Sequence, residues 1–190
     1  MLAPASGLTL SAAPNEGLLA RCVSGDQAAW RDLHRVSYPI AAAFLRKLGV
    51  RDNELDDATQ EVFVQLFRYL PTFRGDAQLK TWLYKLCLTQ ARRARRFRAL
   101  ARTMHRWFGA EEPVAHLEVS EGTARELVQR ALDRLNDGER LVLVLYEFEG
   151  LSGEEIAPLA GCPVATVWRR LHYARQRFSD ALGVGEELRS

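Results

Sequence analysis

Seven apolar residues between positions 55 and 70 recur at helical intervals. Leu55, Ala58, Val62, Phe63, Leu66, Phe67 and Leu70 are separated by steps of three, four and one, which puts them in one wide stripe of period 3.6. Asp57, Glu61, Val64 and Arg68 form a second row on the flank of the same helix. Pro71 ends it, and Thr72 to Gln78, with Gly75, reads as a short loop. A stripe this wide needs helical partners, and the same period recurs on both sides.

Upstream, Leu18, Leu19, Cys22 and Val23 make one short face, and Ala29, Leu33 and Val36 another. Asp26 after Gly25 is a plausible N-cap. Pro39 suits the start of a further helix carrying Ala42, Ala43, Leu45 and Leu48, which Gly49 stops. Residues 1 to 15 are rich in Ala, Pro, Ser and Gly without periodicity and read as a mobile tail. Downstream, Leu79, Trp82, Leu83, Leu86 and Cys87 open a helix that runs into an arginine block.

Periodicity fails from Thr103 to about Gly122, which reads as a linker. Beyond it, Leu127, Val128, Ala131, Leu132 and Leu135 make another stripe. Leu141 to Tyr146 fits a buried strand behind an Asn136-Asp137-Gly138 hairpin turn or a helix. Helical patterns on either side, and the lack of a partner strand, favour helix. Ser152 and Glu155 have capping-box spacing, with Leu151 and Ile156 placed as a hydrophobic staple. Gly161 and Cys162 make a tight turn, and Pro163 suits the first position of a last helix. Val164, Val167, Leu171, Ala174 and Phe178 share one face of that helix, and Thr166, Arg169, Arg170, Tyr173 and Arg177 the other. The expected fold is all-α, with two small helical domains: a tail over 1–15, a first domain over 16–102, a linker over 103–122 and a second domain over 123–185 containing a helix-turn-helix.

Composition narrows the function. The chain has 190 residues and a formal net charge of +2, so any charge signal lies in its distribution. Arg51 to Glu61 holds five acids and one base, Lys85 to Arg106 eight bases and no acid, and Val164 to Phe178 four arginines and no acid. Acid-free blocks interleaved with aromatics favour a polyanion partner. The six-residue apolar run Leu141–Tyr146 falls far short of the roughly 20 residues of a membrane span. Met1 to Leu10 has no basic residue ahead of its apolar ones, a poor signal peptide. Cys22, Cys87 and Cys162 are widely spaced, without metal-ligand or disulfide patterning, and read as reduced thiols of a cytoplasmic protein. No metal site or cofactor is expected.

A helix-turn-helix with a basic outer face fits the major groove, where Arg pairs with guanine edges or phosphates. The block from Trp82 to Arg106 combines aromatics with bases, which suits stacking on unpaired bases while tracking phosphates. Asp56, Asp57 and Glu61 have no histidine near them, so a docking face for a basic partner is more economical than a metal or acid/base site.

The runs Asp57-Ala58-Thr59-Gln60-Glu61-Val62-Phe63, Phe73-Arg74-Gly75-Asp76, Thr81-Trp82-Leu83-Tyr84 and Arg92-Arg93-Ala94-Arg95-Arg96 resemble region two of the extracytoplasmic-function sigma factors. Ala131-Leu132-Asp133-Arg134-Leu135, then Glu149 to Ala157, then Thr166-Val167-Trp168-Arg169-Arg170-Leu171 and Ala174-Arg175 resemble region four. The resemblance covers roughly residues 17 to 183. It implies a non-enzymatic alternative sigma factor that binds core RNA polymerase and promoter DNA, both duplex and melted strand. Asp57, Gln60, Glu61, Phe63 and Val64 would grip the coiled coil of the largest polymerase subunit. Phe73, Arg74, Lys80, Trp82, Tyr84, Lys85, Thr89, Arg92, Arg93 and Arg96 would capture a flipped base of the minus-ten element and hold the melted strand. Thr166, Trp168, Arg169, Arg170, Tyr173, Arg175 and Arg177 would read the minus-thirty-five element. The linker would pass near the polymerase cleft, and an anti-sigma factor would hold the protein inactive by masking these surfaces.

The chain departs from the family pattern where Thr89 replaces the usual Asn and Arg93 a frequent Asp, and where Pro158 falls inside the first helix of the helix-turn-helix. A mid-helix proline costs about 3 kcal/mol unless the helix adapts. Trp168 either touches bases or packs on its own domain. Two rivals make different demands: a dimeric helix-turn-helix repressor needs a two-fold site, and a nuclease built on Asp56, Asp57 and Glu61 needs a metal.

Overall fold

The computed structural model describes residues 15–72, 79–107 and 124–183. The expected tail up to residue 14, most of the expected linker, and Phe73 and Arg74 lie outside those residues, while Asn15, placed in the tail, opens the first helix. Among the described residues the secondary structure is helical throughout: α1 (Asn15–Val23), α2 (Gln27–Lys47), α3 (Asp52–Tyr69), a 3-10 turn (Leu70–Thr72), α4 (Leu79–Trp107), α5 (Ala124–Asp133), α6 (Asp137–Leu143), a π turn (Val144–Phe148), α7 (Gly153–Ala160) and α8 (Val164–Ala181). The chain forms two compact units, the first ending at Arg92 and the second taking in Arg93 onward together with Arg46–Arg51.

In the first unit, Asp26 caps α2 as its sequence position suggests. Its Oδ1 accepts the Ala28 and Ala29 amides at 2.8 and 3.2 Å, and its Oδ2 accepts Arg21 Nη2 at 2.7 Å. Gly25, at φ 89°, makes the left-handed turn between α1 and α2. The expected break at Pro39 is absent, because α2 runs unbroken from Gln27 to Lys47. Pro39 and Arg35 both face solvent, so water can take the Arg35 carbonyl that loses its donor. This phase buries Ala29, Leu33, Ser37, Ala41, Phe44 and Leu45 and leaves Val36 40% exposed, whereas the sequence placed Val36 on the apolar face.

The apolar stripe of α3 divides in two. Leu55, Val62 and Leu66, with Leu70 beyond, are buried, while Phe63 and Phe67 face outward. Thr59 is buried among them, its hydroxyl donating to the Leu55 carbonyl at 2.7 Å. From α4, Leu79, Leu83, Tyr84, Leu86, Cys87, Leu88 and Ala91 complete the core. Tyr84 is fully buried, its ring 4.3 Å from that of Phe44.

In the second unit, two capping boxes set the helix starts. Ser152 Oγ accepts the Glu155 amide at 3.3 Å while Glu155 Oε2 accepts the Ser152 amide at 2.8 Å, as the spacing predicts. The other box, Asn136 with Glu139, caps α6, so Asn136-Asp137-Gly138 starts a helix and not a hairpin. Leu141 to Leu143 belong to α6, which passes into the π turn, where the Glu149 amide donates to the Val144 carbonyl five residues back at 3.1 Å. Pro158 sits on the exposed side of α7. Gly161 closes α7 at φ 63°, and Pro163 is the N-cap of α8, one position earlier than expected. Leu132, Val142, Leu145, Ile156, Val167, Leu171 and Ala174 form the centre of this core.

Candidate polymerase and nucleic-acid interfaces

The outward half of the α3 stripe meets a matching row on α2. Gln27, Trp30, Arg31 and His34 lie at i, i+3, i+4 and i+7, and so do Gln60, Phe63, Val64 and Phe67. Together they line an open groove of about 740 Å³. Its rings touch: Trp30 and Phe67 at 4.8 Å between centroids, and His34 and Phe63 at 4.5 Å. Trp30 is fixed from below, its indole N–H donating to the Cys22 carbonyl at 2.9 Å. Val64 and Phe67 are 52% and 63% exposed, a cluster of apolar surface that marks contact sites on soluble proteins. Of the expected polymerase-binding set, Gln60, Phe63 and Val64 line this groove, with Asp57 and Glu61 on the same helix beside it. Sequence reasoning missed Trp30, Arg31 and His34, because a row of mixed polarity gives no apolar stripe. Asp56 accepts the Tyr38 hydroxyl at 3.1 Å.

On α4, Lys85, Thr89, Arg92, Arg93 and Arg96 are exposed. Their spacing of four, three, one and three keeps them on one face. The Thr89 hydroxyl donates to the Lys85 carbonyl at 3.0 Å, so its hydrogen is committed to the backbone and its lone pairs face out. Trp82 and Lys80 are partly exposed, with Lys80 Nζ 5.5 Å from the Tyr84 ring centre. Tyr84 corrects the expectation that it meets the DNA strand: at 0% exposure against Phe44 it is core, and no base can stack on it.

On α8, the expected reading residues fall into two groups. Trp168, Arg170, Arg175 and Arg177 touch their own domain. Trp168 lies edge-on to Tyr146, centroids 5.5 Å apart. Arg170 Nη1 is 3.5 Å from Cys162 Sγ, and Arg175 Nε donates to Glu147 at 2.7 Å. Arg177 Nη1 donates to both oxygens of Glu139, at 2.9 and 2.8 Å. Thr166, Arg169 and Tyr173 lie on the outer side. Among the described residues, no hydrogen bond or ion pair holds the Arg169 guanidinium.

Residues 33–103 match the Sigma-70 region 2 family, and residues 125–178 the Sigma-70 region 4 family. The chain is 33% identical over 176 residues to the ECF RNA polymerase sigma-E factor of Escherichia coli K12, covering 86% of this chain and 91% of that protein. The chain belongs to the extracytoplasmic-function sigma factor family. This sigma factor is also 29% identical over 178 residues to the RNA polymerase sigma factor NccH of Alcaligenes xylosoxydans xylosoxydans, covering 88% and 94% of the two chains. Among solved structures it is similar to CnrH in complex with the cytosolic domain of CnrY, with a TM-score of 0.64, 30% identity and coverage of 87% and 95%. It shares its fold with RpoE bound to the anti-sigma factor NepR from Bartonella quintana, with a TM-score of 0.61, 22% identity and coverage of 82% and 97%. As a member of this family, the sigma factor binds core RNA polymerase and promoter DNA and directs transcription initiation. No described helix is long and apolar enough to cross a membrane.

Proposed function

We propose that the α2–α3 groove docks core RNA polymerase, the exposed face of α4 holds the melted minus-ten strand, and the outer face of α8 reads the minus-thirty-five element. The observation that carries this reading is the exposed row Lys85, Thr89, Arg92, Arg93 and Arg96 on one helix face, which matches a phosphate track along single-stranded DNA. Asp57 and Glu61 beside the groove suit a basic partner surface. Melting costs a few kcal/mol per unstacked base, and binding both promoter elements through one polymerase raises their effective concentration. Polymerase supplies the chemistry and this chain the selection, so it works as an initiation factor and not an enzyme. Region two extends over 16–102 and region four over 123–185, joined through 103–122. Support for this division comes from the family matches at 33–103 and 125–178, although α4 itself continues to Trp107. An anti-sigma factor restrains the protein in the cytoplasm, a reading that draws on RpoE, which has the same fold and is seen in complex with the anti-sigma factor NepR.

Runoff transcription with core polymerase, with and without this protein, on a library of upstream DNA tests the reading. Promoter-specific transcripts that need both components are expected. DNA binding by the protein alone, with no polymerase binding, would overturn it in favour of a repressor.

A further inference from the structure

Trp168 sits where the family resemblance places a base-contacting residue, yet its surroundings belong to the domain. An ideal Cβ built on Gly153, the first residue of α7, would lie 2.8 Å from Trp168 Cζ2. A side chain at 153 would press on the indole, which is 44% exposed, and displace it from this seat. On its other side the indole meets the edge of Tyr146 at 5.5 Å. Tyr146 in turn carries the Arg175 guanidinium over its ring, 5.2 Å from the centre, while Arg175 pairs with the neighbouring Glu147 at 2.6 Å. Positions 168 and 175 are two turns apart on the same edge of α8. Tyr146 and Glu147 both lie in the π turn, an irregularity frequent at functional sites. Two side chains of α8 are thus gripped, two turns apart, by two consecutive residues of one turn and by the glycine that opens α7.

We propose that Trp168 is a positioning residue that sets the pose of the recognition helix through Gly153 and Tyr146, leaving sequence discrimination to the outer face around Arg169. This rests on the reading of α8 as the minus-thirty-five helix. A base reader and a positioning residue leave different signatures. Loss of a base contact relaxes preference at one base pair, whereas loss of a positioning contact weakens all sequences together.

The test uses full-length protein with core polymerase and a duplex library randomised over the minus-thirty-five region, with bound sequences counted. Trp168→Ala and Gly153→Ala should each lower affinity evenly by roughly two- to tenfold, the size of one aromatic contact, with the preference profile unchanged. Trp168→Phe should recover part of that loss. Arg169→Ala should flatten the profile at one position. Flattening at a single base pair by Trp168→Ala, with Gly153→Ala leaving the profile intact, would overturn the proposal. A second measurement needs no DNA: the unfolding free energies of Trp168→Ala, Gly153→Ala and the double variant. Non-additive losses are expected because the Cβ that Gly153→Ala adds is unfavourable only while the indole lies against it, and additive losses would overturn the proposal. A wild-type selection without any preferred sequence would instead count against α8 as a promoter reader, and the unfolding cycle separates the two failures.

Discussion

Glu139 anchors Arg177. Its carboxylate, on a side chain only 7% exposed, accepts Arg177 Nη1 at both oxygens and also the Asn136 amide at 3.2 Å. One acid therefore caps α6 and ties the end of α8 to it. Glu139→Ala should remove half a capping box and the anchor together, at about 1–2 kcal/mol of unfolding free energy. Arg177→Ala should cost less, since that side chain is half exposed, and should leave base preference at the minus-thirty-five element unchanged. Urea titration and the library selection measure the two effects.

The groove gives a cleaner separation of function from stability. Phe67 is 63% exposed and touches Trp30. Phe67→Ala should lower unfolding free energy by only about 0.5–1 kcal/mol. It should weaken binding to core polymerase about tenfold or more, as loss of a central aromatic contact does. Fluorescence titration with core enzyme and a melting curve on the same sample check both.

On α4, adjacent residues should behave oppositely. Tyr84→Ala empties a core site against Phe44 and should cost about 3–5 kcal/mol. Lys85→Ala, on the exposed face, should leave stability unchanged and reduce the slope of log affinity against log salt by about 0.7 for single-stranded DNA. Filter binding across a salt series resolves it.

Much of this arrangement is legible in the residues. Helical period, the Ser152–Glu155 capping box and the turn at Gly161 are written in local chemistry. Other features are not. The α3 stripe looked uniform because periodicity records which residues are apolar and not what covers them; Phe63 and Phe67 line a groove while Leu66 is core. Pro39 looked like a helix start because the sequence does not show that its missing hydrogen bond faces water. The arginines of α8 looked alike in sequence, yet Glu139 and Glu147, some 30 residues upstream or more, engage two of them.

Acid should reveal the α1–α2 turn. Arg21 holds the Asp26 carboxyl below its ordinary range, with the Ala29 and Ala28 amides adding to the effect. A depressed folded value means the stabilisation is complete above the ordinary carboxylate pKa, about 3.9, and fades as pH falls through the folded value. The stability difference between wild type and Asp26→Ala should be constant from pH 7 to about 5 and shrink below about 4. Thermal melts at stepped pH follow it.

Gln90 sits in the core at 4% exposure with an amide nitrogen that has no partner among the described residues. An unpaired buried donor costs about 1–3 kcal/mol. Gln90→Met should therefore raise the melting temperature, as differential scanning calorimetry would register.

The π turn at Val144–Phe148 carries one more residue than a plain helical turn would. One residue on an α-helix corresponds to about 100° of rotation. The extra residue therefore acts as an angular setting, dialling Tyr146 and Glu147 round to the side where α8 passes. Deleting a single residue here would barely shorten the molecule, yet it would re-phase the helix that precedes the turn against everything that follows it. Related proteins that differ by one residue at this point should be aligned by the direction their side chains take, because matching letters across that gap would pair positions that face different ways.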